Sequence, residues 1–472
     1  MSIGRSLAPV LLVLACHAHA APLQDEDLAV AASLRDQALK GTAAYDFVDD
    51  LTREVGHRMA GTPNDAKGVA WTVARFKQLG FDRVYTMPVS FPVWDRGFES
   101  ASIVSPEPQS LTATALGGSI GTPAGGISAE VVMFKDAAAL QAAAPGSLQG
   151  KIAYVANRMA RAKDGSGYGV AVIARVAGAV YAARAGAAAV LIRSVGTDSD
   201  SRSPHTGTMR YDNMLTRIPA AALGQVDADQ LEAQLARGEA VTVKLELGSR
   251  VRNGTYTSAN VIGEVLGREK PEEMVLIGGH LDSWDLGTGA IDNASGVAIT
   301  ATAAALIAAL PERPRRSIRV VAFANEEQGI HGGRRYAREH ADQVALHIGG
   351  AESDFGAGRI WRFSSRVKPE ALPVVEQIHA VLAPLGIERG NNEAGGGADL
   401  SAMRDLGMPI FALGQDGTNY FDIHHTAKDT IAVVKAEDLD QNVAAYAALA
   451  YLLAQAGPIF GPLPVAAAPA AR

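Results

Sequence analysis

The sequence predicts an α/β fold with a mostly parallel central sheet flanked by helices. From about residue 259 onward, short apolar runs alternate with segments of helical length and pattern. The apolar runs are nearly continuous, which is typical of parallel strands that are buried on both faces. Four of these runs are followed by histidines or carboxylates, and parallel strands place their carboxyl ends at one edge of a sheet. The chain is therefore expected to carry a site at that edge.

Length, charge and hydropathy limit the classes of protein that fit. The 472 residues are enough for two or three domains with separate cores. The net charge of -7 and the scattered lysines and arginines argue against a nucleic-acid partner, which would need a clustered basic patch. The Ala-rich runs 293–310 and 443–456 are of helix length but lack strong hydrophobic continuity, so we interpret them as buried helices and predict no membrane span.

Residues 1–20 have the pattern of a signal peptide. Arg5 supplies a positive charge, residues 7–15 an apolar segment, and Ala18-His-Ala20 a small-residue cleavage site. We therefore expect a secreted or periplasmic protein. A lipoprotein signal cut before Cys16 is the alternative, although the preceding Val-Leu-Ala matches it poorly. Cleavage after Ala20 would remove the single cysteine, so any metal site must use nitrogen and oxygen ligands.

Changes in composition divide the mature chain into parts. Residues 21–124 are interpreted as the N-terminal part of a catalytic domain, with a Ser/Thr/Gly/Pro-rich loop or domain edge at 102–126. Residues 125–250 read as an inserted α+β module without a cluster of metal ligands. Residues 251–457 form the main catalytic domain, and 458–472 are expected to be a loose tail.

Candidate ligands stand at the ends of four predicted strands. The run 274–279 is followed by His280 and Asp282, and Asp292 comes at the start of the next helical segment. The next three strands are followed by Glu326-Glu327, by Asp354, and by His424-His425 with Asp429. Carboxylates brought within about 4–6 Å raise one another's pKa values strongly, and divalent cations remove that conflict. Taken singly, each of these residues could instead be a buried core histidine, a helix-capping aspartate or a solvent-exposed pair of glutamates. The metal hypothesis therefore depends on their shared placement at the ends of successive strands.

Five short motifs carry a family resemblance: Gly279-His-Leu-Asp-Ser-Trp-Asp, Gly289-Ala-Ile-Asp-Asn-Ala-Ser-Gly, Ala324-Asn-Glu-Glu-Gln-Gly, Glu352-Ser-Asp and His424-His-Thr-Ala-Lys-Asp-Thr. In this order they resemble the co-catalytic zinc exopeptidases, and within that family the carboxypeptidase Q group. The likeness covers most of the mature chain. It extends into the insertion, at 191–194, 203–207 and 218–219, which resembles a protease-associated domain.

The resemblance implies two zinc ions and a role for each candidate residue. His280 and Asp354 would hold one ion, Glu327 and His425 the other, and Asp292 would bridge the two. His425 is preferred to His424 because it precedes the Asp-Thr pair by four residues, the family's spacing. Asp282 would orient His280 by accepting its other ring N–H, and Glu326 would act as the general base. A short peptide substrate and a homodimer are also implied.

Several alternatives stay open at this point. The same metal core serves carboxypeptidases, dipeptidases and aminopeptidases. An acyl-transfer cyclase with one zinc and a non-catalytic cell-surface binding module use the same fold. No His-Glu-x-x-His motif occurs, and Gly117-Gly-Ser-Ile-Gly121 lacks the strand–turn–helix context of a serine-hydrolase elbow. Trp284, Tyr420 and the segment 391–399 are candidate rim residues.

Overall fold

Two eight-stranded sheets make up the framework of the protein in the computed structural model, which describes residues 23–465. The predicted signal peptide lies outside the described residues. Within them the strands are β1 (Arg83–Asp95), β2 (Glu99–Ser105), β3 (Gln109–Leu111), β4 (Ala113–Ala115), β5 (Ile127–Phe134), β6 (Ile152–Val155), β7 (Ala189–Arg193), β8 (Ala220–Leu223), β9 (Thr242–Leu247), β10 (Arg250–Val265), β11 (Lys270–His280), β12 (Arg316–Phe323), β13 (His347–Glu352), β14 (Ile360–Arg366), β15 (Glu388–Arg389) and β16 (Ile410–Gln415).

The α-helices of the described residues are distributed along the whole chain. They are α1 (Asp25–Ala38), α2 (Ala44–Glu54), α3 (Pro63–Gln78), α4 (Ala137–Gln141), α5 (Tyr168–Arg184), α6 (Gln225–Leu235), α7 (Ser295–Ala308), α8 (His331–Glu339), α9 (Leu372–Leu382), α10 (Ser401–Asp405) and α11 (Ala436–Ala456).

The main sheet has the strand order β1-β10-β12-β11-β13-β16-β14-β15. Its four inner strands, β12, β11, β13 and β16, pair in parallel. The antiparallel pairs lie on either side of them, β1 with β10, β10 with β12, and β14 with β16. Every residue of β12 and of β13 is buried, as expected for strands covered on both faces. The predicted fold class is confirmed.

Helices cover both faces of this sheet. Val275 and Ile277 of β11 pack in a core cluster with α1, α2, α7, α9 and α11, whereas Leu276 between them packs with α8 and α10 on the other face. This alternation is the two-residue period of a strand. By length and composition, the helical segment Ala290–Ala308 could cross a membrane, but 89% of it is buried inside the protein, which is typical of a core helix.

Residues 99–247 form the second sheet and its helices, here called the second-sheet module. Its strand order is β3-β2-β9-β5-β6-β7-β8-β4. In the segment 102–126, where the sequence predicts a loop or domain edge, a loop is wrong for most of 102–115, because β2, β3 and β4 join this sheet. These strands are short and rich in Ser and Thr, so they lack the apolar runs that identify the other strands. The sequence interpretation had placed them with the catalytic domain.

The predicted loose tail is packed in the part that the structure describes. Phe460 is fully buried, and its ring centroid lies 5.1 Å from that of Phe411. The amide of Leu463 donates a hydrogen bond of 2.8 Å to the carbonyl of Gly407. Within the segment predicted to be loose, Phe460 and Leu463 are thus in contact with the rest of the protein, because an aromatic side chain anchors a stretch rich in proline and glycine.

Candidate metal centre

Four neighbouring strand ends of the main sheet meet at one cavity. His280 is the last residue of β11, Asp292 lies on the connection that follows it, and the remaining candidates follow β12, β13 and β16. Because these four strands are parallel and adjacent, their carboxyl ends lie at one edge. The cavity has a volume of about 370 Å³. Its walls include the five predicted metal ligands, His280, Asp292, Glu327, Asp354 and His425, and the predicted general base, Glu326.

Asp292 lies at the centre of the cluster. Its Oδ1 is 3.0 Å from Nε2 of His280, which is in turn 3.2 Å from Oδ1 of Asp354. Its Oδ2 is 3.3 Å from Nε2 of His425, which is 3.0 Å from Oε2 of Glu327. The two oxygens of the Asp292 carboxylate thus face two separate sets of possible ligands, His280 with Asp354 and His425 with Glu327.

The distances and unpaired atoms fit metal binding. Ligand atoms that share a tetrahedral zinc ion at about 2.0–2.2 Å lie roughly 3.3–3.5 Å apart, close to the separations in both sets. His280, Asp292 and Asp354 present ligand atoms that all lie within 4.8 Å of one another. Oε1 of Glu327 is buried and has no hydrogen-bond partner among the described residues. Imidazole nitrogens and carboxylate oxygens are the donors expected for a cysteine-free zinc site.

Two side chains, His424 and Glu327, are close enough to His425 to share a metal ion with it. By mutual distance, His424 groups with Asp292 and His425, but its Nε2 is 3.6 Å from Oδ2 of Asp292. Glu327 lies nearer, at 3.0 Å from Nε2 of His425. Burial lowers the pKa of His424 well below its usual range, and the adjacent His425 lowers it further. An imidazole and a carboxylate can both bind a cation, and the shorter contact with His425 favours Glu327.

Buried negative charge dominates the electrostatics of the site. Burial raises the pKa values of Asp354 and Glu327. Burial also opposes the ionised form of Asp292, but hydrogen bonds to His280 and His425 hold its pKa well below the usual range. Three carboxylates and two imidazoles share this buried space, and divalent cations would remove the repulsion between the carboxylates.

Glu326 differs from its neighbours in having a free carboxylate. Within residues 23–465, no hydrogen bond or ion pair engages that carboxylate, although it lines the cavity. Burial raises its pKa well above the usual range. The backbone N–H groups of Glu326 and Glu327 donate to the Asp282 carboxylate at 3.0 and 3.3 Å. A fixed backbone and an unengaged carboxylate are suited to proton transfer.

The Asp282 carboxylate lies between His280 and the Glu326-Glu327 turn. The group closest to Nδ1 of His280 is the backbone carbonyl of Asp282, at 3.0 Å, whereas the nearer carboxylate oxygen is at 3.6 Å. The carboxylate is engaged instead by the backbone of Glu326 and Glu327. That this carboxylate also accepts the ring N–H of His280 stays a prediction. Asp282 joins the His280 strand end to the Glu326-Glu327 turn.

A second carboxylate fixes the segment that carries Asp292. Asp429 accepts hydrogen bonds from the backbone N–H groups of Ile291 and Asp292, at 2.8 and 3.2 Å. Burial raises the pKa of Asp429 to about 7. Helix α7 begins just beyond Asp292, and a Cβ atom on Gly296 would collide with the carbonyl of Ser353. The glycine therefore lets this helix lie directly against the strand ends.

Three residues at the site, Asn325, Ile330 and His425, adopt a backbone conformation that non-glycine residues rarely take. Asn325 has a φ of 52° and His425 a φ of 62°, both in the left-handed region. Asn325 turns the chain directly after β12 and so directs the two glutamates into the cavity. Such conformations concentrate at functional sites, where the surrounding structure compensates their cost.

The second-sheet module contributes residues that the sequence interpretation missed. Tyr168 and Arg175 of α5 line the same cavity, and the carbonyl of Thr206 lies 3.1 Å from Nδ1 of His425. Of the predicted rim residues, Tyr420 donates to Oδ2 of Asp292 at 3.2 Å. Trp284 packs against His425, with ring centroids 5.8 Å apart.

The serine-hydrolase motif is a structural element, as expected. Ser119 of the sequence 117–121 is fully buried. Its hydroxyl donates to the carbonyl of Ile120 and accepts from the amide of Ala220. No nucleophile is presented at this position.

A buried carboxylate and imidazole cluster at the carboxyl ends of parallel strands is typical of metal-dependent hydrolases. Residues 260–450 match the model of peptidase family M28. Carboxypeptidase Q of Xenopus laevis is 35% identical over 90% of this chain and 89% of that protein. The chain belongs to peptidase family M28 and is a metallo-exopeptidase, which favours the peptidase interpretation over the cyclase and the binding module.

Solved structures agree with this assignment. The peptidase M28 precursor of Shewanella amazonensis SB2B is 50% identical, with a TM-score of 0.91 over 93% of this chain and 99% of that one. An aminopeptidase from Aneurinibacillus sp. strain AM-1 is 23% identical with a TM-score of 0.59, over 92% of this chain and 98% of that one, and shows the shared fold.

Proposed function

We propose that the protein is a zinc-dependent exopeptidase that binds two ions and hydrolyses dipeptides or short peptides. The observation that supports this most directly is the position of Asp292, whose two oxygens face His280 on one side and His425 on the other. One set of ligands is completed by Asp354 and the other by Glu327. Relatives named carboxypeptidase Q, 33–35% identical over most of this chain, favour the carboxypeptidase or dipeptidase direction over the aminopeptidase alternative.

The chain's own residues prepare the site for this chemistry. Two bound divalent ions would polarise the peptide carbonyl and acidify a water so that it attacks near neutral pH. Glu326 takes a proton from the attacking water and transfers it to the nitrogen of the leaving group. Asp282 supports that role because it holds the backbone of Glu326 in place. Tyr420, a donor at 3.2 Å from Asp292, fixes the orientation of the shared carboxylate.

Product analysis tests the proposed reaction. The purified mature protein is incubated with a library of short peptides, with zinc, with a chelator, and with zinc restored after chelation. We expect single residues to be released from one terminus by the zinc-loaded protein, no release with the chelator, and recovery when zinc returns. Mass spectrometry of the products identifies the terminus. If the zinc-loaded protein leaves every short peptide intact, the proposal is wrong.

The two adjacent histidines offer a matched pair of variants. We expect His425→Ala to bind one metal per chain and His424→Ala to bind two, because His425 contacts both Asp292 and Glu327 whereas His424 is 3.6 Å from Asp292. Elemental analysis after dialysis against dilute zinc measures the difference. If His424→Ala binds one metal per chain and His425→Ala binds two, His424 is the ligand instead of His425.

The proposal extends to the other parts of the chain. We propose that the second-sheet module corresponds to the protease-associated-like insertion, with its limits at 99–247 instead of 125–250. Export of the mature protein is proposed from the signal-peptide pattern of residues 1–20. N-terminal sequencing of protein recovered from the periplasm or medium would locate the cleavage site.

A further inference from the structure

The chain passes between the two sheets twice, at residues 96–98 and 248–249. The two crossings lie against each other, because the amide of Gly248 donates to the carbonyl of Phe98 at 2.7 Å. A Cβ atom on Gly97, which has a φ of 72°, would collide with the Gly248 carbonyl oxygen, so this close approach requires a glycine. Arg96 begins the first crossing and therefore lies at the junction of the two sheets.

The Arg96 guanidinium contacts both sides of that junction. Its exposed fraction is 8%. Towards the main sheet, its Nε and Nη2 donate to the Asp285 carboxylate at 2.9 and 2.6 Å. Towards the second-sheet module, it donates to the Thr114 hydroxyl at 2.6 Å, the Ala115 carbonyl at 2.8 Å and the Thr206 hydroxyl at 3.3 Å. One buried side chain thus joins the two sheets.

Asp285 lies on the connection that carries a proposed metal ligand. Residues 281–291 join His280, at the end of β11, to Asp292. The neighbouring residue, Trp284, is buried between Arg96 and His425: the Arg96 Cζ is 5.9 Å from its ring centroid, and the His425 ring is 5.8 Å away. Holding Asp285 therefore fixes both this connection and the aromatic ring that packs on the His425 imidazole.

A second route leads from Arg96 to His425 through Thr206. The Thr206 hydroxyl accepts from Arg96 and donates to the Ala115 carbonyl at 2.9 Å. The Thr206 carbonyl lies 3.1 Å from Nδ1 of His425. Because a carbonyl can only accept, this contact places the imidazole proton on Nδ1 and leaves Nε2 free to bind a cation. Fixing Thr206 therefore fixes the ring orientation that metal binding needs.

Another buried arginine of the module provides a comparison. Arg193 contacts Asp229 and Glu232, each at 2.6 Å, and both partners belong to α6 of the same module. Arg193 and Arg96 are both buried and paired with carboxylates. The partners of Arg193 lie within one body of the fold, whereas those of Arg96 lie on segments next to the metal cluster. Arg96 itself lies outside the set of residues that line the cavity.

We propose that Arg96 is a positioning residue of the metal centre. Through Asp285 it holds the connection that carries Asp292, and through Thr206 it holds the imidazole of His425. This inference rests on the proposed metal centre. A planar guanidinium that donates two hydrogen bonds to one carboxylate fixes both distance and orientation. Loss of a residue that orients metal ligands typically lowers metal affinity by about 10- to 100-fold.

Zinc affinity tests the inference without relying on hydrolysis. The affinity of the purified protein is measured by competition with a chromophoric chelator, at a temperature where each variant is folded. We expect Arg96→Met to weaken zinc binding by about 10- to 100-fold. Arg96→Lys keeps the charge but loses the paired geometry, so it should retain part of the affinity. These two variants and Asp285→Asn keep the test open if one of them fails to fold.

A double variant shows whether the two residues act together. We expect Asp285→Asn to weaken zinc binding as well, because it removes the charge that Arg96 pairs with. The combination of Arg96→Met with Asp285→Asn should bind zinc no more weakly than Arg96→Met alone, since residues that act as one unit are not additive. Fully additive losses would contradict action through Asp285.

Variants of Arg193 separate positioning from folding. Arg193→Met and Arg193→Lys, the matched controls, should lower Tm but leave zinc affinity unchanged. The visible absorption of the cobalt-substituted protein, which depends on ligand geometry, should change in Arg96→Met and stay unchanged in Arg193→Met. With zinc bound, Arg96→Met should lower kcat on a dipeptide and leave KM unchanged, because Arg96 does not line the cavity.

The outcomes distinguish this inference from the proposed metal centre. Wild-type zinc affinity in both Arg96 variants and in Asp285→Asn would overturn the role of Arg96 and leave the metal centre intact. Equal losses of affinity in the Arg96 and Arg193 variants would also overturn it, because the effect would then be one of general stability. Failure of the wild type to bind zinc would instead overturn the proposed metal centre, and the inference with it.

Discussion

Replacing Glu326 by glutamine is expected to lower kcat by about 10²- to 10⁴-fold while the metal content stays the same. Glutamine matches the size of glutamate but cannot accept and return a proton. The Glu326 carboxylate lines the cavity without a partner among the described residues, so its loss should not disturb the ligands. Steady-state kinetics on a dipeptide and elemental analysis of the same sample give the two quantities.

The control is Glu339→Gln, which changes an exposed glutamate on α8. We expect it to keep the turnover of the wild type. If Glu326→Gln keeps that turnover as well, Glu326 is not the base. If it loses metal, its role is structural, and the loss of rate does not measure proton transfer.

Replacing Asp292 by alanine is expected to remove both metals and reduce hydrolysis to background. Asp292 is in contact with the histidines of both ligand sets, at 3.0 Å from His280 and 3.3 Å from His425. Without it each set loses a charged oxygen ligand and the contact that orients its imidazole. Metal per chain, measured after dialysis against dilute zinc, gives the result directly.

Asp354→Ala provides the comparison for this variant. Asp354 is 3.2 Å from His280 and belongs to one ligand set alone, so its loss should remove one metal per chain. Equal losses from both variants would contradict a shared role for Asp292. Two metals retained by Asp292→Ala would exclude the bridging role.

The convergence of the predicted site residues could be read from the sequence because parallel strands share an edge. His280, Glu327 and Asp354 each follow a buried apolar run, and the three runs form neighbouring parallel strands. Asp292 and His425 stand on longer connections. The sequence pattern makes Asp292 a candidate ligand, and the family resemblance supplied its bridging role and the preference for His425 over His424. The structure places all five around one cavity.

Contacts between the two sheets could not be predicted in the same way. Arg175 lies in a helix whose sequence shows no ligand motif, and its approach to the cavity depends on how the second-sheet module packs. The carbonyl of Thr206 is a backbone group, so residue type carries no signal for its contact with His425. Asp282 was placed correctly along the chain, but the direction of its carboxylate depends on the turn at Asn325. The position of Arg175, the contact of the Thr206 carbonyl and the direction of the Asp282 carboxylate all depend on packing between segments that are distant in the sequence.

Two hydrogen bonds between Thr206 and His425 join the second-sheet module to a proposed metal ligand of the main sheet. The Thr206 amide donates to the His425 carbonyl at 3.1 Å, and the Thr206 carbonyl lies 3.1 Å from Nδ1 of the same histidine. Separation of the second-sheet module from the main sheet would break both bonds and release the imidazole. By thermodynamic reciprocity, an ion held by His425 favours the docked arrangement as much as docking favours the ion. If His425 binds an ion, loss of that ion and separation of the second-sheet module from the main sheet are therefore thermodynamically coupled.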